Sequence, residues 1–349
     1  MVLLASRQTA LALGVGMASL ALGVIALLLF FLPVLGMPIS ALGLLLGLVG
    51  LLGASAGDGA SLRWCDVYGQ HASTTCVLVN RSGRGFRRHH DIYRVTMSNL
   101  LRRAKIAGHA VLDVANWRDV LPRASAGQTV MEIRLRRGPV IVATPEHSLW
   151  PHFSDIWYHK SYTRFSSIPR GSVVVDVGAN VGVFSLFAAR MARIIYALEP
   201  SSSNFSLLRT NTARAENVVP LNLACARQDG RASLDVGSDP VSFSLAAQFP
   251  SKNQETVEVV SLATLFDRYR IERCDFLKLD CEGCEFEIIL DSDPALFSRI
   301  DRIVMEYHDH LSTRFSHRDL LQSLRKLGFE AVVYKPNGTY GMIAATRRR

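Results

Sequence analysis

Hydrophobic and polar positions divide this chain into three stretches of different rhythm. From Gln8 to Gly57 no residue is charged, and apolar side chains run on without a period. Two segments, about Thr9–Leu32 and Ile39–Ala56, are separated by "PVLGMP". The first is long enough to cross a hydrocarbon core of about 30 Å, and the second is shorter and rich in glycine. A helical hairpin satisfies its own backbone hydrogen bonds in lipid, and Gly43 and Gly47 give the G-x-x-x-G spacing that suits close helix contact. Residues 1–57 are therefore expected to form a transmembrane hairpin. The competing reading is a secretory signal, since "ASAG" at 54–57 resembles a cleavage site. The uncharged run, however, far exceeds a signal core of about 7–15 residues.

Residues 58–125 have the weakest pattern. "DIYRVTMSNLLRRAKI" places apolar residues at helical spacing with basic ones between. From about Thr129 the rhythm changes to short apolar runs alternating with helix-like segments. "VMEIRLRRGPVIVAT" reads as two strands joined at Gly138-Pro139, and "VVVDVGANVGVFSLFAARM" as a buried strand, a glycine turn and a helix. Then come the strand "IIYALEP", the helix "SSSNFSLLRTNTARA" opened by serines, and the strand "VVPLNLACA". "CDFLKLD" is a strand, "CEFEIIL" a helix start, "RIVMEYH" a strand and "HRDLLQSLRKLG" a helix, before the closing pair "FEAVVY" and "GMIAAT". This alternation predicts a doubly wound α/β sheet over residues 126–349, with its ligand at the C-terminal ends of the strands.

Charge sharpens the first two stretches. The interspan loop is uncharged, Arg7 precedes the spans and a basic region follows them. By the positive-inside rule both ends lie in the cytoplasm, which predicts a two-span protein of the cytoplasmic (inner) membrane with its catalytic domain facing the cytoplasm. Between Arg81 and Lys105 there are eight Arg or Lys against one acid, Asp91. This segment suits either anionic headgroups or plain solvent exposure. Net charge +9 alone does not indicate nucleic acid, because no recognition motif accompanies it. The six cysteines would sit in a reducing compartment, where structural disulfides are not expected.

The first strand–helix turn, "DVGANVG" from Asp176 to Gly182, fails the dinucleotide fingerprint G-x-G-x-x-G, having Asn180 and Val183 at the second and third glycine positions. It carries an acid inside the strand end instead, which suits a cationic ligand part better than a pyrophosphate. The next strand ends in Glu199, a carboxylate placed to accept ribose hydroxyls. Together they fit S-adenosylmethionine.

"VVDVGANVGVFSLFAAR", "YALEPSSSNFSLLRTN", "FLKLDCEGCEFEIIL" and "IVMEYH", in this order, resemble the FkbM family of S-adenosylmethionine-dependent methyltransferases. The resemblance runs from about Val130 to the C-terminus. It implies a class I methyltransferase (Rossmann-like) fold, with a mostly parallel seven-stranded sheet and one antiparallel strand near its edge. It also implies that Asp176, Gly178, Asn180 and Gly182 surround the methionine part of the cofactor and Glu199 the ribose, and Ala224 is counted with the cofactor-binding positions. The chain departs from the family pattern at Arg227, where relatives usually place an acid, and at Ala263, where Leu-Asp is usual.

Methyl transfer to a hydroxyl needs alignment and a proton acceptor. Candidates at the ends of the fourth and fifth strands are Lys278, Asp280, Glu282 and Glu285, then Glu306 and His308. Residues 278 and 280 share one strand face, as do 306 and 308. The expectation is Asp280 or His308 as general base, with Glu282 and Glu306 orienting acceptor or base. Cys281 and Cys284 with His308 and His310 do not have zinc-finger spacing, so no structural metal is expected; a divalent ion on Asp280, Glu282 and Glu306 is the alternative. The segment "DCEG" is not the Pro-Pro-aromatic motif of amino-methylating enzymes, and no Pro-Cys nucleophile occurs in the chain. The function expected is a membrane-anchored O-methyltransferase acting on a small-molecule, glycan or glycolipid hydroxyl. The alternative is a non-catalytic module, binding S-adenosylmethionine or anchored with a decayed site.

Overall fold

The computed structural model describes residues 97–145, 148–235 and 254–348. The expected hairpin at 1–57 and most of the basic stretch at 58–125 lie outside these residues. Among the described residues, no helix is long and apolar enough to cross a membrane.

The described residues fall into two units, one holding residues up to Leu112 together with Trp117–Gln128, the other Asp113–Asn116 together with Thr129 onward. The first contains most of α1 (Met97–Asp113) and all of α2 (Trp117–Ser125). In α2, Trp117, Val120 and Leu121 are buried at helical spacing.

The second unit begins with the antiparallel pair β1 (Glu132–Arg134) and β2 (Val140–Val142). Helix α3 (Leu149–Trp157) follows, then β3 (Val173–Val177), α4 (Val183–Ala188), β4 (Ile194–Leu198), α5 (Ser202–Thr212) and β5 (Val218–Leu221). Strands β6 (Ala224–Ala226), β7 (Gly230–Asp235) and β8 (Gln254–Ser261) precede α6 (Leu262–Arg268). The chain closes with β9 (Phe276–Leu279), α7 (Cys284–Asp291), α8 (Pro294–Phe297), β10 (Arg302–His308), α9 (His317–Lys326), β11 (Phe329–Asn337) and β12 (Tyr340–Arg347).

Seven strands form the main sheet in the order β5-β4-β3-β9-β10-β12-β11. The pairs from β5 to β10 are parallel, and β12 runs antiparallel to both its neighbours. All five residues of β3 and all four of β9 are buried, as strands covered on both faces must be. Alternation divides them between two cores: Val173, Val175 and Val177 point into one, and Val174 into the other with Phe184, Ile195 and Phe276.

One expected strand is divided. "VVPLNLACA" gives β5 in the main sheet and β6 in a second sheet of order β6-β8-β7. The break falls at Asn222, whose side-chain Nδ2 donates to the carbonyls of Glu199 and Pro200. That bond turns the chain across the end of β4 and brings Leu223 and Ala224 toward the sheet's C-terminal edge.

Candidate active site

A cavity of about 370 Å³ lies at the C-terminal ends of β3, β4, β9 and β10. The order reversal falls between β3 and β9, so this is the crevice where an open α/β sheet binds its ligand. Helix α3 contributes His152, Asp155 and Ile156 to its wall, and Tyr162 follows from the next loop.

The β3–α4 turn is built for close approach. Gly178 has φ 75°, and a Cβ there would lie 1.7 Å from the backbone oxygen of Asp280. Gly182 has φ 90°, and its Cβ would meet Leu208 at 2.8 Å. Gly178 and Asn180 line the cavity, whereas Asp176 and Gly182 do not. Asp176 is fully buried, accepts from Ser185 Oγ at 2.6 Å and lies 3.0 Å from Lys278 Nζ. Its charge positions Lys278, and Gly182 packs the turn against α5.

Glu199 stands at the wall with its oxygens fixed by two backbone donors, Asn180 N at 2.9 Å and Ser201 N at 3.0 Å. Burial pushes its carboxyl up to about 7, against the pull of those N–H groups. Ser201, at the N-cap of α5, makes no side-chain cap bond. It instead turns its backbone N–H to Glu199 and its hydroxyl to Ser203. Leu223, Ala224 and Cys225 form the adjoining, largely apolar wall, so Ala224 does face the cavity.

The far end holds the charged cluster. Lys278 is buried and donates to the carbonyl of Gly178 at 2.8 Å. Burial opposes its charge, but Asp176 and Asp280 outweigh that and raise its pKa. Asp280 lies 3.7 Å from Lys278 Nζ and accepts from Tyr162 Oη at 2.7 Å. Burial would raise the Asp280 pKa, yet Lys278, His308 and the tyrosine hydrogen bond bring it below the usual carboxylate range. Glu306, on β10 across the same end, has its carboxyl pushed to about 7 by burial and by the Asp280 charge. Glu282 also lines the cavity, at φ 52°.

His308, one of the two candidate bases, is packed between carboxylates. It is buried, with Nδ1 3.1 Å from Glu285 Oε1 and Nε2 3.4 Å from Glu282 Oε2. Burial disfavours its charge, but these two carboxylates and Asp280 raise its pKa to about 10. An imidazolium cannot accept a proton, so at neutral pH this residue supplies positive charge. Because the folded pKa is raised from 6.5 to about 10, its stabilising contribution is complete below the lower value and lost as pH rises through the higher. Glu285, itself fully buried, also accepts from Gly283 N at 2.8 Å and His308 N at 2.9 Å, tying the start of α7 to the end of β10. The two cysteines of the same turn are packing residues, Cys284 Sγ donating to the Cys281 carbonyl at 3.0 Å.

Asp280, Glu306 and His308 each present one ligand atom within 4.8 Å of the others, a grouping that could hold a divalent cation. The His308 imidazolium already sets a positive charge among these carboxylates. Turnover is therefore expected to be unchanged by excess chelator; a loss restored by Mg²⁺ or Mn²⁺ would place a cation there.

The strand order, the single reversed strand and the cavity at the switch point define a class I methyltransferase fold. Residues 176–331 match the family described as "Methyltransferase FkbM domain". Curated relatives agree. "Methyltransferase 1" of Beauveria bassiana is 26% identical over 234 residues, covering 60% of this chain and 92% of that protein. The "31-O-demethyl-FK506 methyltransferase FkbM" of Streptomyces tacrolimicus is 26% identical over 52% of this chain and 82% of its own length. The "Hexuronic acid methyltransferase AglP" of Haloferax volcanii is 26% identical over 39% of this chain, which spans only 56% of that protein. Among solved structures, the methyltransferase FkbM of Methylobacillus flagellatus shares 13% identity, with TM-score 0.36 over 71% of this chain and 60% of that one.

S-adenosylmethionine is the cofactor of such a domain, and the residues present fit it. The cavity offers backbone at Gly178 for close approach, an acid at Glu199 for ribose hydroxyls and an apolar wall at Leu223 to Cys225 for a flat base. Asn204 adds a buried amide beside Glu199.

Proposed function

We propose that this protein is a membrane-anchored O-methyltransferase that methylates a hydroxyl of a glycan or lipid-linked saccharide at the cytoplasmic membrane face. The observation that carries the O-methyl reading is the placing of Glu306 and Asp280 together at one end of the cavity, with carboxylate oxygens within 4.8 Å of each other. S-adenosylmethionine, when bound, supplies an electrophilic methyl group. The chain supplies the rest. Glu306 accepts the acceptor's hydroxyl proton near neutral pH, where a base with a pKa close to ambient is most effective. Asp280, pinned by Tyr162 and Lys278, accepts a hydrogen bond that orients the acceptor. Lys278 and the His308 imidazolium keep three neighbouring carboxylates in one cavity wall from repelling one another beyond use.

The anchoring and the acceptor class rest on other features. The uncharged stretch from Gln8 to Gly57, followed by a basic region, supports a two-span hairpin with this domain on the cytoplasmic side. Two of the relatives above are named as methyltransferases of a hexuronic acid and of 31-O-demethyl-FK506. Deleting the gene and comparing membrane saccharides by mass spectrometry tests the acceptor. One species is expected to lose the mass of a single methylene. An unchanged saccharide profile, or recovery of the full-length protein outside the membrane fraction, would contradict the reading.

A further inference from the structure

Phe165, Val332 and Tyr340 are large apolar side chains exposed by 54%, 49% and 40%. Such residues scattered singly need no explanation, but these three share one corner of the main sheet. Helix α9 covers one face of β11, packing Leu320 and Leu324 with Phe329 and Ala331. Val332 and Tyr334 project from the opposite face, because side chains alternate along a strand. The Phe165 ring lies 4.7 Å from that of Tyr334. Across the sheet Tyr334 pairs with Met342 and Met342 with Glu306, while Tyr340 pairs with His308. Paired residues of a ladder face the same side. The exposed apolar groups therefore continue the strand face that carries Glu306, and they border the end of the cavity assigned to the acceptor.

The exposed charge beside this patch is basic. Arg164 lies 5.8 Å over the Phe165 ring, and Lys160 is exposed in the same loop. The neighbouring acids are engaged, Asp155 by Lys335 at 2.7 Å and Glu330 by Arg348 at 3.6 Å. An apolar patch with a basic rim matches an anionic bilayer, whose acyl chains take the rings and whose headgroups take the cations. A second copy of the chain on the same patch would set one positive rim against another. We propose that this corner seats the domain on an anionic membrane surface, with Phe165, Val332 and Tyr340 in the interfacial layer and Arg164 and Lys160 on the headgroups. The proposal rests on the anchoring read from the uncharged stretch Gln8–Gly57. A tether holds the domain near the bilayer; this surface fixes which way the cavity faces. A lipid-linked hydroxyl then reaches Glu306 without leaving the interface.

The test puts a fluorescent reporter on the patch. Full chain carrying Phe165→Trp is reconstituted in nanodiscs of phosphatidylcholine and phosphatidylglycerol with brominated acyl chains, which quench only indoles that reach them. Above the wild-type background, the added emission is expected to fall as the brominated fraction rises. The emission added by Ser233→Trp, on β7 of the second sheet, is expected to stay constant. Adding Arg164→Glu to Phe165→Trp, or omitting phosphatidylglycerol, should reduce the quenching; quenching indifferent to both would overturn the part given to charge. Unquenched emission from Phe165→Trp in protein that stays with the discs would overturn the surface and leave the anchoring standing, and a dimer by sedimentation would then give the patch to a second copy. Equal quenching at both positions would also overturn it. Full chain that does not enter the discs would overturn the anchoring and this surface with it. Val332→Trp carries the same expectation and serves if the first variant does not fold.

Discussion

Replacing Glu306 with glutamine is expected to lower kcat by about 10²- to 10⁴-fold, the usual worth of a positioned general base. Cofactor affinity should change little, because Glu306 lies at the end of the cavity away from Glu199. The pH profile is the sharper readout. A base acts deprotonated, so wild-type turnover at saturating cofactor should rise with pH through about 7, where Glu306 titrates, and then level off. Saturation keeps the ionisation of Glu199, also near 7, out of the measurement. In Glu306→Gln that rising limb should vanish. A variant retaining both the rate and the limb would remove Glu306 from the mechanism and return the role to Asp280.

Lys278→Met is expected to be the most destabilising change at the site. Lys278 is 2% exposed and faces Asp176, which is 0% exposed. Taking away one partner of a buried ion pair leaves a bare charge and costs about 3–5 kcal/mol. For a domain of this size that is roughly 10 °C in melting temperature. The double variant Lys278→Met with Asp176→Asn removes the orphaned charge as well and should regain most of the stability. It should not regain turnover, since Asp280 has lost the cation that holds it ionised. Equal melting temperatures for the single and double variants would contradict this account of the pair.

Much of the sheet is legible in the chain because its central strands are covered on both faces, and "VVVDV" and "FLKL" therefore stand out as unbroken apolar runs. Glu199 is legible for a related reason, as the carboxylate that ends such a run. Other features depend on contacts between distant residues. Tyr162 meets Asp280 across 118 positions, and no local pattern marks it. The wall from α3 has the same cause. His308 is legible on its strand face, but its contact with Glu285, 23 residues earlier, is not. The ion pair of Asp176 with Lys278, its sheet neighbour on β9, likewise follows only from the strand pairing.

The central claim is that the crevice between β3, β4 and β9 binds the methyl donor with Glu199 on its ribose. Calorimetric titration of the full-length protein with S-adenosylhomocysteine, on wild type and on Glu199→Gln, tests it directly. The account predicts one saturable site per chain in wild type and markedly weaker binding in the variant. No binding to wild type, or equal binding by both, would contradict it.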